Sequence, residues 1–112
     1  MTIKIYYLDD EKDLCEIFEE LVASPPLIFV KTYSDPLLFL EAVIKEKPDI
    51  VFTDYRMPKM NGEEVAKRLD PSIAKYLVTG EIDYLSNDLF KKVFKKPIDY
   101  DEISAEVLKL TS

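Results

Sequence analysis

The stretch Asp49-Ile50-Val51-Phe52-Thr53-Asp54-Tyr55-Arg56-Met57-Pro58-Lys59-Met60-Asn61-Gly62 decides the fold. A run of β-formers over residues 50–53 ends on a carboxylate, and the chain then turns through Met57-Pro58 and Asn61-Gly62. An unbroken apolar run reads as a strand buried on both faces, the situation of a central strand in a parallel sheet. An acid at the tip of such a strand is costly to hold unless something pairs with it. The position of Asp54 therefore asks for a partner and a purpose.

Outward from this strand, strand-like and helix-like segments alternate. Residues 3–8 are β-rich and run into Asp9-Asp10. Residues 12–23 place Leu14, Ile17, Phe18, Leu21 and Val22 at helical spacing with acids opposite, which predicts a helix with these five on its core side. Cys15 reads as a core residue of the same helix, and Ser24-Pro25-Pro26 ends it. Residues 27–33 read as a second strand. Asp35-Pro36 pairs a capping side chain with Pro at the first helical position, and the helix it opens is expected to run to Lys47, before Pro48. Past the third strand, residues 62–69 give a short helix through Val65, Ala66 and Leu69. Residues 76–79 and 92–95 read as the fourth and fifth strands. Asp99-Tyr100-Asp101-Glu102 resembles a capping box ahead of the stripe Ile103, Val107 and Leu110. A parallel crossover needs about a dozen residues, so a fourth helix drawn over 82–91 is expected to be short or irregular. Met57 and Met60 read as packing residues.

Composition narrows the chemistry. The 112 residues fit one domain, 1–112, with one core. A net charge of −7 argues against direct nucleic-acid binding, which needs a basic face. There is no histidine, which excludes Ser-His and Cys-His nucleophile pairs and His-ligated metals. The single cysteine excludes an internal disulfide and a multi-cysteine zinc site. No apolar run reaches membrane-spanning length and no signal peptide opens the chain, so a cytoplasmic protein without a membrane anchor is expected.

Five strands alternating with helices imply an α/β protein, a doubly wound parallel sheet covered on both faces. Ligands of such sheets bind beyond the carboxyl ends of the strands. Asp9 and Asp10 follow strand one, Asp54 ends strand three, Thr79 ends strand four and Lys96 follows strand five, so all five fall on that edge. Two carboxylates about 4 Å apart repel by about 4 kcal/mol at an effective dielectric of roughly 20. Lys96 offsets part of this repulsion, and an oxygen-seeking cation, Mg²⁺ or Mn²⁺, would offset the rest. Asp54 then suits the role of nucleophile toward a phosphoryl group, with Lys96 and Thr79 contacting its oxygens. Gly80 would leave its backbone N–H open to a phosphate.

Asp9-Asp10, Asp54 within DYRMPKMNG, Thr79-Gly80 and Lys96-Pro97 resemble the receiver domain of two-component response regulators, in particular the chemotaxis-regulator-like ones. The resemblance spans nearly the whole chain. It implies a flavodoxin-like five-stranded parallel sheet of order 2-1-3-4-5 with five helices, here with the fourth short or irregular. It implies Asp54 as phosphoacceptor in a Mg²⁺-dependent reaction, with Asp10 binding the metal directly, Asp9 mostly through water, and Asp54 and the backbone carbonyl of Arg56 completing the protein ligands. Thr79 and Lys96 would contact the phosphoryl group, and Lys96-Pro97 would be a cis peptide. The implied partners are a histidine kinase or phosphotransfer protein and a downstream protein target. The implied catalysis is confined to the chain's own phosphorylation and dephosphorylation, so it is not an enzyme on other substrates. No output domain is expected within this length, so the chain reads as either a stand-alone regulator or a receiver excised from something longer.

Two departures from that pattern stand out. The family often has Tyr or Phe three residues before the lysine as a switch, and here that position is Val93. The segment between Thr79 and Lys96 is also shorter than usual. Both keep open a second reading, a receiver-fold interaction module independent of phosphorylation. A haloacid-dehalogenase-type phosphatase is rejected, because it wants a second Asp two positions after the nucleophile, where Arg56 stands. Arg56 and Glu81, each two residues past a site residue on neighbouring strands, are expected to flank the mouth of the site.

Overall fold

A computed structural model describes residues 2–81 and 88–111. In chain order the elements are β1 (Ile3–Leu8), α1 (Lys12–Val22), β2 (Ile28–Tyr33), α2 (Pro36–Lys45), β3 (Ile50–Asp54), α3 (Gly62–Lys67), β4 (Ala74–Thr79), β5 (Lys92–Lys95) and α4 (Tyr100–Thr111). The five strands form one parallel sheet of order β2-β1-β3-β4-β5. β3 lies at its centre, and all five of its residues are buried. Its unbroken apolar run is therefore what burial on two faces demands.

Side chains alternate between the faces. Ile5, Tyr7, Ile50, Phe52, Tyr76, Val78 and Phe94 pack under α1 and α4 against Cys15, Phe18, Val22, Ile103 and Val107. Tyr6, Leu8 and Val51 pack on the other face against Phe39 of α2 and Val65 of α3. Leu77 meets Ala66 and Phe90 in a smaller cluster on that same side. Aromatic rings fill much of the first face: Tyr7 stacks on Phe18 at 4.2 Å and Phe52 on Tyr76 at 4.9 Å between ring centroids.

The helix starts follow from local chemistry. Asp35 Oδ1 accepts the Leu37 amide at 3.0 Å with Pro36 at the first position of α2. Asn61 and Glu64 form a reciprocal capping box at α3, a signal the sequence reading passed over. Asp99 accepts the amides of Asp101 and Glu102 at the start of α4. The prolines after α1 include a cis Pro25-Pro26 bond.

Several expectations need correction. Ile17 and Leu21 are exposed, at 41% and 55%, while α1 buries only Cys15, Phe18 and Val22. A helix resting on a sheet buries one narrow stripe, and a one-residue step rotates a side chain about 100° out of it. Leu110 shares the face of Ile103 and Val107 but is exposed in the last turn of α4. α2 stops at Lys45 rather than Lys47, because Glu46 is extended and engaged elsewhere: its carbonyl accepts the Tyr6 hydroxyl at 2.9 Å and its carboxylate meets Lys4 and Lys31. α3 ends at Lys67, and β4 begins at Ala74, whose amide bonds to Asp49 O. The helix expected over 82–91 lies mostly outside the described residues. Its last part, 88–91, is a turn and bend rather than helix, with the Lys91 amide already bonded to Lys75 O at 2.8 Å. Among the described residues, no helix is long and apolar enough to cross a membrane.

Candidate functional site

The carboxyl edge of the sheet is built by register. β1 pairs Leu8 with Thr53, β3 pairs Asp54 with Val78, and β4 pairs Thr79 with Lys95. The next residues off β1 and β5, Asp9 and Lys96, are thereby carried to the side of Asp54. By the same alternation that fills the core, Asp9, Asp54 and Lys96 extend the face shared with α1 and α4, and Thr79 extends the other.

Asp9 is fully buried and Asp54 nearly so, while Asp10 is exposed. Carboxylate oxygens of all three lie within 4.8 Å of one another. Lys96 Nζ sits between two of them, 3.0 Å from Asp9 Oδ2 and 3.2 Å from Asp54 Oδ1. Asp54 Oδ1 also accepts the Tyr55 amide at 2.9 Å. Burial and then the charge of Asp9 push the Asp54 carboxyl up to about 6, with Lys96 pulling the other way. Burial works against the Lys96 ammonium, but the hydrogen bonds and charges of Asp9 and Asp54 outweigh it and raise its pKa. The donor set is all oxygen and its three negative charges face a single ammonium. It fits a hard divalent cation such as Mg²⁺ or Mn²⁺, which takes carboxylates and water.

Thr79 is buried, and its hydroxyl accepts the Glu81 amide at 3.0 Å. Gly80 is exposed with open space where a Cβ would stand. Lys96-Pro97 is cis, as the resemblance implied. Arg56 and Glu81 join side chain to side chain over the β3 and β4 loops. Val93 is half-buried against Ala66, Leu77 and Phe90. Met57 and Met60 pack against the α2–α3 core, and Cys15 is buried with its thiol pushed up to about 11 by burial.

Sequence reasoning passed over two features. The Tyr7 hydroxyl donates to Asp9 Oδ2 at 2.6 Å, and the Glu11 amide to Asp9 Oδ1 at 2.9 Å. The signal was present in the alternation, since Tyr7 and Asp9 are two apart and share a face. The second feature is the steric demand at Gly62, which the sequence shows only as a loop residue on the site's edge: a Cβ there would meet the Asp54 carbonyl oxygen at 2.4 Å.

Comparison with known proteins agrees with this architecture. A family model described as a response regulator receiver domain matches residues 5–107. Sporulation initiation phosphotransferase F of Bacillus subtilis is 32% identical over 117 residues, covering 97% of this chain and 94% of that protein. A protein-glutamate methylesterase/protein-glutamine glutaminase of Methylobacillus flagellatus is 36% identical over 70 residues, covering 62% of this chain and 20% of that protein. The chain spans from a fifth to about half of the length of the first curated relatives it matches. Among solved structures, a CheY-like response regulator receiver domain from Methylobacillus flagellatus superposes with a TM-score of 0.86 at 20% identity, covering 97% of this chain and 98% of that one.

Proposed function

The chain belongs to the response regulator receiver domain family of two-component signalling, and from that premise we propose that Asp54 is its phosphoacceptor. The observation that carries this reading is Lys96 Nζ held between the carboxylates of Asp9 and Asp54 at the carboxyl edge of the sheet. A carboxylate oxygen of Asp54 attacks the phosphorus of a phosphohistidine on a histidine kinase or phosphotransfer protein. The O–P bond forms as the P–N bond breaks, and the bonding pair leaves with the imidazole nitrogen. Lys96 and the Thr79 hydroxyl contact the oxygens of the arriving group, and the Gly80 amide is open to it. Asp9, Asp10, Asp54 and the Arg56 carbonyl are the residues that would hold Mg²⁺ or Mn²⁺. When bound, the cation supplies positive charge against three carboxylates and the phosphoryl oxygens.

In this role the chain acts only on itself, taking up and losing one phosphoryl group, and it works in the cytoplasm by changing its affinity for a downstream protein. Its acidity leaves direct nucleic-acid binding out of that role. Incubation with acetyl phosphate and Mg²⁺, read by intact mass, tests the proposal. The wild type is expected to gain one phosphoryl group and Asp54→Asn none, with Asp10→Ala losing cation binding. Equal labelling of wild type and Asp54→Asn overturns the assignment. A wild type that binds Mg²⁺ yet never labels favours the phosphorylation-independent module.

A further inference from the structure

Asp9 is a fully buried carboxylate, and its donors are unevenly placed. Oδ1 takes the Glu11 amide at 2.9 Å, while Oδ2 takes both the Tyr7 hydroxyl at 2.6 Å and Lys96 Nζ at 3.0 Å. Lys96 is shared, because it also reaches Asp54. Any approach of its ammonium to a phosphoryl group on Asp54 draws it from Asp9, and a buried charge stripped of its partner is strongly disfavoured. The Tyr7 ring is itself buried and held flat against Phe18, with planes 5° apart, so its hydroxyl is fixed in direction by packing.

We propose that Tyr7 is a positioning residue of this site. Its hydroxyl holds Asp9 Oδ2 in place for the cation and stays on that oxygen when Lys96 turns to the phosphoryl group. This rests on the reading of the cluster as a cation-dependent phosphoacceptor site. Partners that orient a metal-ligating carboxylate are commonly worth about 10–100-fold in metal affinity or activity. Tyr76 supplies the matching control. It is equally buried, stacks on Phe52 under the same helices, and donates its hydroxyl to Glu106 Oε2 at 2.8 Å, a residue outside the cluster.

The experiment is an isothermal titration of Mg²⁺ into wild type, Tyr7→Phe and Tyr76→Phe, with the melting temperature of each taken without metal. In wild type, the proton spectrum is also followed for the buried Tyr7 hydroxyl, identified by its loss in Tyr7→Phe. Tyr7→Phe is expected to bind Mg²⁺ about tenfold more weakly, Tyr76→Phe like wild type, and the hydroxyl resonance to shift on adding Mg²⁺. Wild-type affinity in Tyr7→Phe, equal weakening in both Phe variants, or an unmoved hydroxyl proton each overturns the role of Tyr7 and leaves the Asp54 assignment standing. A wild type that neither binds Mg²⁺ nor labels at Asp54 removes the underlying reading instead.

Discussion

At the scale of single residues, Arg56 and Glu81 carry the point most particular to this chain. Their side chains join above the site, yet Arg56 is largely exposed, so the pair adds little to stability. The interest of the pair is access. Glu81 is tied to the site through its own amide, which donates to the Thr79 hydroxyl at 3.0 Å. Bridged across the two loops, the pair is expected to obstruct the water that would attack an acyl phosphate on Asp54. Arg56→Ala and Glu81→Ala are each expected to shorten the lifetime of the phosphorylated form several-fold while leaving the melting temperature near wild type. The check is the decay of the labelled mass after removal of the phosphodonor. Decay at the wild-type rate in both variants would reduce the pair to surface charge.

At the scale of elements, the sharpest constraint is the junction of β3 and α3. Gly62 opens α3, and its amide donates to Tyr55 O at 2.8 Å, pulling the helix start against the strand end. Helix propensity alone favours Ala over Gly by about 1 kcal/mol. The 2.4 Å approach of a Cβ to the Asp54 carbonyl reverses that sign, because backbone is what must move. Gly62→Ala is expected to cost about 1–3 kcal/mol, the range for overpacking, and to slow labelling of Asp54. Gly80→Ala, facing open space, is expected to melt like wild type. Thermal melts of the two variants side by side decide it. The contrast shows what a sequence conveys. Both glycines were visible as loop residues of the site's edge, but only three-dimensional contact separates the one that is sterically required. The strands were legible because β-formers ran between turn signals, and the start of α2 because Asp35-Pro36 is a local code. Ile17 and Leu21 misled because helical period reports an apolar residue without saying which flank the sheet covers, and Leu110 because period does not say where along the helix the packing ends. The α3 capping box was missed because Asn61-Gly62 reads equally well as a turn.

At the scale of the whole molecule, strand order is not a local property. β2 lies at the edge, paired among the described strands with β1 alone, and the Asp9 amide closes that pairing on Tyr33 O. Alternation alone predicted a parallel sheet, whereas the order came from resemblance and is what the structure holds. The two faces then differ in what they link to the site. The α1–α4 side is one large aromatic core, interlocked from Phe18 through Phe52 to Phe94. The other side carries the small cluster of Ala66, Leu77 and Phe90, with Tyr55, Leu89 and Val93 packed against it. Tyr55 directly follows Asp54, and its amide is bonded to the Asp54 carboxylate, so a group arriving on Asp54 disturbs that bond first. Val93 offers no long side chain to swing and no phenol to hydrogen-bond, so an aromatic rotamer at that position cannot report the change. The small cluster is the contiguous packing that leads from Tyr55 to β5. Phosphorylation is therefore expected to alter amide exchange around residues 55–57, around 79–81 and across 88–95, while α1 and α4 keep their protection. Hydrogen exchange followed by mass spectrometry, with and without acetyl phosphate and Mg²⁺, measures this directly. Changes confined to the loop after Asp54, with nothing in 88–95, would mean that the signal does not travel through this cluster.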